Sequence, residues 1–255
     1  MKISVCLAVF NEENNLYECL KSVESLADEI VIVDGGSSDK TVNIANEFRA
    51  KVIKTDNPAN FHINKNKAID AAIGDWVLQL DADERVPAEL KEEIQKGIED
   101  NQYNGYWIPR QNFFLGRFLK KGGQYPDYTL RLYKKGKGRL PAKDVHEQAK
   151  VEGEIGYLHS PLLHYRDRNF SHYIDGLDRY TSFIARQLYE QKLTINTISF
   201  IDYFFIKPFF WFIKTYFRHK GFTDGFPGFI FSLFSSLRYP IAYIKFYLAR
   251  TKEKL

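Results

Sequence analysis

Short apolar runs alternate with amphipathic helical patterns through the first hundred residues, and this alternation restricts the possible folds more than any other feature. The apolar runs span residues 3–10, 29–34, 51–54 and 77–80. Runs of about four to eight apolar residues are typical of buried strands, whereas apolar positions three or four apart predict helices. Strands and helices that alternate in this way are typical of βαβ units. We therefore predict an α/β fold.

Polar residues follow the predicted strands at the points where the strands end. Asn11 follows the first run, Asp34 ends the second, and Asp81 and Asp83 follow the fourth. In open α/β sheets, ligands bind outside the carboxyl ends of the strands. Paired carboxylates offer the hard oxygen ligands that Mg²⁺ and Mn²⁺ prefer, and these ions share phosphate oxygens with the substrate. A divalent metal site is therefore predicted at this edge, with an acidic turn as the alternative.

A dinucleotide-binding domain would show the same alternation of strands and helices, but the glycine turn argues against it. Residues 35–38 read Gly-Gly-Ser-Ser, which lacks the GxGxxG spacing. They also follow the second predicted strand, whereas the dinucleotide fingerprint follows the first. The sequence therefore disfavours a dinucleotide site.

Three stretches carry a resemblance to a known family, and they read SVCLAVFNEENNLYECLKSV, IVIVDGGSSDKT and INKNKAIDAAIGDWVLQLDADER. They are similar to the nucleotide-sugar half of the family 2 glycosyltransferases. Within that family, WIPRQNFFLGRFLKKGGQYPDYTLRLYKKGKGRL and KDVHE resemble the bacterial lipopolysaccharide core β-1,4-glucosyltransferases. The resemblance extends over residues 2–248. It implies the GT-A fold, a Rossmann-like mixed sheet with helices on both faces.

The resemblance also implies a binding site for a UDP-sugar donor. Eight residues match donor-binding positions of the family: Ala8, Phe10, Asn11, Glu12, Asp34, Lys65, Asn66 and Asp81. The first four stand where the family holds the uracil, and the fifth matches the aspartate that bonds the uracil ring. The last three lie near the ribose and diphosphate. Two of them depart from the family pattern. Ala8 replaces a hydroxyl residue, and Lys65 replaces an arginine that would contact phosphate with two donors.

Three residues match metal-binding positions of the family. Asp83 matches the metal-binding member of the acidic motif, and Asp81 is the second candidate ligand. His164, at the end of a short predicted strand over residues 157–165, resembles a histidine that completes the metal shell. Imidazole is a suitable ligand for Mn²⁺, although a histidine at a strand end can also be purely structural. The expected cofactor is therefore Mg²⁺ or Mn²⁺.

Deprotonation of an acceptor hydroxyl requires a carboxylate or imidazole within hydrogen-bond reach. The candidates are Asp127, Asp144, His146 and Glu147. The last two of these fall where the family places a Glu-Asp pair whose carboxylate acts as the base. Glu147 is therefore the first candidate for the catalytic base and Asp127 the second, and a solvated loop carboxylate is the alternative for Glu147. The glycine-containing segment 113–123 is predicted to be a mobile flap or a membrane-facing loop, and glycines that simply mark turns are the alternative.

The C-terminal part of the chain is both basic and aromatic. Residues 203–255 contain nine Lys or Arg and two acidic residues, and 18 of the 40 aromatic residues. Basic residues among aromatic ones are typical of a segment at the surface of an anionic membrane. A spanning helix fits less well because charges and prolines interrupt the apolar runs, and nucleic acid is not expected as a partner. A packed helical subdomain is the alternative.

These patterns predict a domain division. Residues 1–170 are expected to form the catalytic domain, with the donor bound by 1–100 and the acceptor by 101–170, and residues 171–255 a helical, membrane-proximal region. Two cysteines give no disulfide framework, and no signal peptide is predicted ahead of the first strand. The expected location is cytoplasmic, on the inner face of the inner membrane.

The resemblance implies an inverting glycosyltransferase that moves a hexose, with glucose from UDP-glucose expected, to a membrane-bound glycan such as the lipopolysaccharide inner core. Another sugar or acceptor within the family is one alternative, for instance in a capsule, wall polymer or glycopeptide. A membrane protein that binds a nucleotide sugar without turnover is the other.

Overall fold

The computed structural model describes residues 1–58, 60–141, 148–167 and 169–252. They fall into two units: residues 1–111 with 127–164, and residues 112–126 with 165–255. The domain boundary expected after residue 170 stays a prediction. In chain order the elements are β1 (Ile3–Val9), α1 (Leu16–Val23), β2 (Glu29–Asp34), α2 (Thr41–Glu47), β3 (Lys51–Lys54), α3 (His62–Ala71), β4 (Trp76–Leu80), β5 (Glu84–Arg85), α4 (Ala88–Asp100), β6 (Gly105–Phe114), β7 (Arg117–Phe118), β8 (Asp127–Lys134), β9 (Gly138–Arg139), β10 (Lys150–Val151), β11 (Ile155–Tyr157), β12 (Leu162–Asp167), α5 (Phe170–Glu190), α6 (Thr197–Ile201), α7 (Lys207–Phe212) and α8 (Gly225–Lys252).

The first unit is built on a mixed sheet. The strand order among the described residues is β3-β2-β1-β4-β8-β6-β12-β5. Strands β1 to β4 are parallel, and β8 runs antiparallel beside β4. Side chains on β1 and β4 such as Val5, Leu7 and Leu78 are completely buried, because helices cover a parallel sheet on both faces. The predicted α/β fold with a mixed sheet is confirmed.

The sequence predicted one strand over residues 157–165, and the structure has two, β11 and β12. Between them the Glu93 carboxylate accepts hydrogen bonds from the backbone N–H groups of His159 and Ser160, each at 2.7 Å. Pro161 has no N–H to offer a neighbouring strand. The chain therefore leaves the sheet after Tyr157 and re-enters it at Leu162.

The second unit is largely helical. Helices α5 and α8 share a core with the π-helical turn Asp202–Ile206, formed by Ala185, Leu188, Tyr203, Tyr243 and Phe246. The helical, aromatic-rich character expected of this region is confirmed. No helix in the described part of the chain is both long enough and apolar enough to cross a membrane.

A buried carboxylate ties the segment 112–126 to the helices of the second unit. Asp224 is 2% exposed, and its carboxylate accepts hydrogen bonds from the backbone N–H groups of Lys120 at 3.0 Å and Lys121 at 2.8 Å. The Arg117 guanidinium donates to the Asp224 carbonyl at 3.0 Å. Segment 112–126 is therefore held to the residue that precedes α8.

Both cysteines lie in the first unit, Cys6 on β1 and Cys19 on α1, and both are free and fully buried. Burial raises the pKa of Cys6 to about 12. Burial also raises the pKa of Cys19. Because the thiolate is the reactive form of cysteine, neither side chain is expected to react at neutral pH.

Candidate active site

The turns that follow β1 and β2 are joined by hydrogen bonds at the carboxyl edge of the sheet. The Asn11 backbone N–H donates to Ser37 Oγ at 2.9 Å, and the Ser38 N–H donates to Asn11 Oδ1 at 2.9 Å. Asn11 has a φ of 54°, a left-handed conformation that asparagine tolerates better than most residues. The structure thus places Asn11 and the turn after Asp34 side by side.

The other residues predicted to hold the uracil lie at the same edge. Ala8 pairs in register with Val33 on β2, and Phe10 is 44% exposed. The Glu12 backbone N–H donates to Thr41 Oγ1 at 2.7 Å, and its carboxylate accepts from Asn15 Nδ2 at 2.6 Å. Their nucleotide contacts stay predictions.

Asp34 ends β2 and is almost completely buried. Its carboxylate accepts hydrogen bonds from the backbone N–H groups of Gly36 at 3.2 Å and Ser37 at 3.2 Å. Gly36 has a φ of 88°, a conformation that a residue with a side chain rarely adopts. The described contacts of this carboxylate therefore order the turn, and its bond to the uracil ring stays a prediction.

Two cations hold the Asp81 carboxylate. Lys65 Nζ lies 2.5 Å from Oδ1, and an Arg131 nitrogen lies 2.5 Å from Oδ2. Burial alone would raise the pKa of Asp81, but the charges of Arg131 and Lys65 hold it well below its usual value. Burial lowers the pKa of Lys65 against the attraction of Asp81. Both oxygens of Asp81 thus already have strong partners, and its role as a metal ligand stays a prediction.

Arg131 and Glu84 complete this network, and neither was among the predicted site residues. Arg131, on β8, is 8% exposed and lies 2.8 Å from Glu84, which has no exposed surface. The Arg131 guanidinium also donates to the Gln79 side-chain oxygen. Burial acts to lower the pKa of Arg131, but Asp81 and Glu84 raise it above its usual value. The only signal in the sequence is a charged residue between the apolar residues of a predicted strand.

Replacing Arg131 by methionine is expected to destabilise the protein by about 3–5 kcal/mol, because the buried Glu84 carboxylate would lose its close cation at 2.8 Å and keep only the longer contact with Arg110 at 3.9 Å. Arg139→Met is the matched control, since its ion pair with Asp70 is more than half exposed on both side chains. An exposed pair contributes only about 0–1 kcal/mol. Urea unfolding followed by circular dichroism measures both changes. Equal losses in the two variants would contradict the assignment of Arg131 as the central cation.

Asp83 and His164 form a second pair beside the first. His164 lies opposite Glu84 in the register of β12 and β5, and its Nε2 is 3.3 Å from the Asp83 carboxylate. Burial would raise the pKa of Asp83, but the hydrogen bond and the charge of His164 lower it. The described residues contain no group of three or more potential ligands around one point. A carboxylate and an imidazole still fit Mg²⁺ or Mn²⁺, because these ions take further ligands from substrate phosphates and water.

The two candidate bases differ in what the structure shows of them. Asp127 begins β8, and its Oδ2 accepts from Arg110 Nε at 3.0 Å and from Arg110 Nη2 at 2.7 Å. Glu147 lies outside the described residues, as do Asp144 and His146.

Asn66 holds Leu140 by two hydrogen bonds. Its side-chain amide donates to the Leu140 carbonyl at 2.9 Å and accepts from the Leu140 N–H at 3.2 Å. The predicted contact of Asn66 with the donor stays a prediction.

Comparisons with known proteins agree with this fold. Residues 4–162 match the family described as Glycosyl transferase family 2. The lipopolysaccharide core biosynthesis glycosyltransferase LpsC of Rhizobium meliloti is 28% identical over 241 residues, which cover 90% of this chain and 86% of LpsC. A glycosyltransferase of Rickettsia typhi without an assigned role is 27% identical over 245 residues, which cover 91% of this chain and 82% of the relative.

A solved structure shows the same fold. Residues 1–349 of S. aureus TarS align with a TM-score of 0.50 at 16% identity, covering 96% of this chain and 88% of that one. TarS was also solved in complex with UDP and with UDP-GlcNAc.

The mixed sheet and its likeness to TarS place the chain in the GT-A fold class. The match over residues 4–162 shows that the chain belongs to Glycosyl transferase family 2. The resemblance to lipopolysaccharide core glycosyltransferases is confirmed by the similarity to LpsC.

Proposed function

We propose that this protein is an inverting, metal-dependent hexosyltransferase, with UDP-glucose as the expected donor and a membrane-bound glycan such as the lipopolysaccharide inner core as the acceptor. The observation that carries this proposal is the cluster at the carboxyl edge of the sheet, where Asp81 pairs with Lys65 and Arg131, and Asp83 pairs with His164. The similarity to LpsC supports the acceptor class. The TarS complex with UDP-GlcNAc supports a nucleotide-sugar donor.

Asp83 and His164 would hold the divalent metal, with the remaining ligands coming from the donor diphosphate and water. When bound, the metal neutralises the diphosphate and stabilises it as a leaving group. Lys65 adds a positive charge at the same edge, and Asp81 orients it through their ion pair at 2.5 Å. The buried Arg131 fixes Asp81 from its other oxygen. Asp34 orders the turn that faces the nucleobase.

Glu147 is proposed to act as the catalytic base. It accepts the proton of the acceptor hydroxyl while that oxygen forms a bond to the anomeric carbon. The bond from the anomeric carbon to the diphosphate oxygen breaks, and UDP carries away the electron pair. A single displacement inverts the anomeric configuration, so an α-linked donor gives a β-linked product.

The proposed function is tested by a donor screen that follows UDP or other nucleotide release across UDP-, GDP- and TDP-sugars, with and without a chelator. We expect release from UDP-glucose that depends on Mg²⁺ or Mn²⁺ and increases with a lipopolysaccharide core acceptor. A preference for GDP- or TDP-sugars would overturn the uridine assignment. If no donor releases its nucleotide, the proposal of an enzyme is overturned in favour of a protein that only binds a nucleotide sugar.

We also propose that the second unit binds the surface of an anionic membrane and places the protein on the cytoplasmic face of the inner membrane. Its helices and turns between residues 198 and 226 expose large apolar side chains, which include Ile198, Phe205, Phe209, Phe210, Phe217 and Phe226. Exposed cations accompany them at Lys214, Arg218 and Lys220. Apolar side chains beside cations are suited to the interface of anionic lipids.

Flotation with liposomes measures this association. The full chain is expected to float with anionic vesicles and far less with neutral ones, because each cation near an anionic surface contributes about 1 kcal/mol. Changing Lys214, Arg218 and Lys220 to Gln is expected to reduce flotation strongly. The matched control changes Lys2, Lys21 and Lys96, three exposed cations of the first unit, to Gln. Lys207→Gln is expected to have a small effect, because Asp202 lies 2.7 Å from its ammonium group. Equal flotation on both vesicle types would overturn the electrostatic part of the proposal.

A further inference from the structure

A groove of about 960 Å³ runs along one face of α3 in the first unit. Its other wall is the turn after β8 together with β9 and β10. The residues from Ile63 to Asp70 on α3 extend along it for about 10 Å, since a helix rises about 1.5 Å per residue. Ile63, Ile69, Leu140 and Val151 give the groove apolar surface. Apolar surface between polar groups is suited to the C–H faces of sugar rings.

Cations dominate the polar lining of this groove. It contains Lys67, Lys135, Lys137, Arg139 and Lys150 against two carboxylates, those of Asp70 and Glu152. The carboxylates are engaged by two of the cations: Arg139 lies 2.5 Å from Asp70, and Lys137 lies 3.5 Å from Glu152.

The other three cations have no carboxylate in ion-pair contact within the described part of the chain. Lys67 donates to the neutral Thr55 hydroxyl at 2.7 Å, and Lys135 donates to the Ala72 carbonyl. Lys150 is exposed on β10. A concave surface with uncompensated charge of one sign focuses its potential and attracts ions of the opposite sign.

The groove begins near the candidate active site and runs towards the amino end of β4, where the Lys135 N–H donates to the Asp75 carbonyl at 2.9 Å. Lys65 on α3 reaches Asp81, while Asn66 and Lys67, the next residues along the helix, line the groove. Pro141 lines its end and precedes the segment that carries Glu147. The hydrogen bonds from Asn66 to Leu140 hold this end of the groove against α3. A glycan that approaches the donor beside Lys65 can therefore extend into the groove.

We propose that this groove binds a phosphate-bearing stretch of the glycan acceptor, an assignment that rests on the proposed function. Lys67, Lys135 and Lys150 contact the phosphate groups through charge-assisted hydrogen bonds. The apolar surface contacts the intervening sugar rings. The groove thereby selects acceptors that carry negative charge along the chain beyond the sugar that is extended.

The test measures binding by isothermal titration calorimetry on the full chain. The probe is the phosphorylated oligosaccharide released from bacterial lipopolysaccharide by deacylation, before and after phosphatase treatment. We expect the phosphorylated probe to bind at least tenfold more tightly than the treated one, with an affinity that falls as salt is raised. The groove variant changes Lys67, Lys135 and Lys150 to Gln, and we expect it to bind both forms as weakly as the wild type binds the treated probe. The Lys2, Lys21 and Lys96 variant is the control for net charge.

Unchanged affinity in the groove variant, or equal binding of the two probe forms, would overturn the proposal. Flotation of the groove variant distinguishes a lipid headgroup from the glycan, because loss of vesicle binding with retained oligosaccharide binding would assign the groove to lipid. The affinity for UDP is expected to be the same in all three proteins. If the groove variant loses oligosaccharide binding but no donor releases its nucleotide, the groove assignment stands and the proposed enzyme fails.

Discussion

Asp83→Asn is expected to reduce sugar transfer by about 10³-fold or more while the fold stays intact. A metal ion contributes several kcal/mol of transition-state stabilisation, and each 1.36 kcal/mol corresponds to a factor of about ten in rate. An amide keeps the size of the carboxylate but loses the charge that would attract the ion. Asp83 is about a quarter exposed and forms its ion pair with His164, so little packing is lost.

Two measurements check this result. UDP release is followed at saturating Mn²⁺, and Mn²⁺ binding is followed separately by electron paramagnetic resonance. Asp100→Asn, at an exposed carboxylate at the end of α4, is the control for the loss of one negative charge. Normal turnover by the Asp83 variant would show that this carboxylate is not a metal ligand.

Glu147→Gln is expected to leave donor affinity unchanged and to reduce transfer by about 10²–10⁴-fold, the range for loss of a positioned general base. Donor affinity is measured by titration with UDP, and transfer by product formation on the core acceptor. Hydrolysis of the donor by water is expected to fall less than transfer, because the base acts on the acceptor hydroxyl.

Asp127→Asn is the comparison for this variant. Both Arg110 contacts reach a single oxygen of Asp127, so the Asp127 substitution is expected to loosen this ion pair at the start of β8. The loss of transfer is expected to be smaller than in the Glu147 variant. An inactive Asp127 variant together with an active Glu147 variant would exchange the two roles.

The sequence predicted the parallel strands well because their signal is local. The run predicted over residues 3–10 is β1, Ile3–Val9, and the run 29–34 is β2, Glu29–Asp34. Each strand is buried on both faces, so a nearly continuous apolar run marks it. The position of Asp34, Asp81 and Asp83 at strand ends follows directly from these runs.

The cationic half of the site was less predictable because its contacts join distant parts of the chain. Arg131 meets Asp81 and Glu84 across roughly fifty residues, and this depends on β8 lying antiparallel beside β4. The anchoring of residues 120–121 by Asp224 spans about a hundred residues. Local periodicity carries no information on such pairings, since either charge alone is consistent with a solvated surface.

The burial of both cysteines makes the protein well suited to site-specific labelling. The sequence contains only Cys6 and Cys19, and a thiol-directed dye needs an accessible thiolate, which neither residue offers in the folded state. A single cysteine introduced as Glu152→Cys, at an exposed position that lines the groove and is not one of its phosphate-binding cations, would therefore be the one reactive position of the folded protein. A fluorophore attached there would report, by its change in emission, the arrival of an oligosaccharide in the adjoining groove.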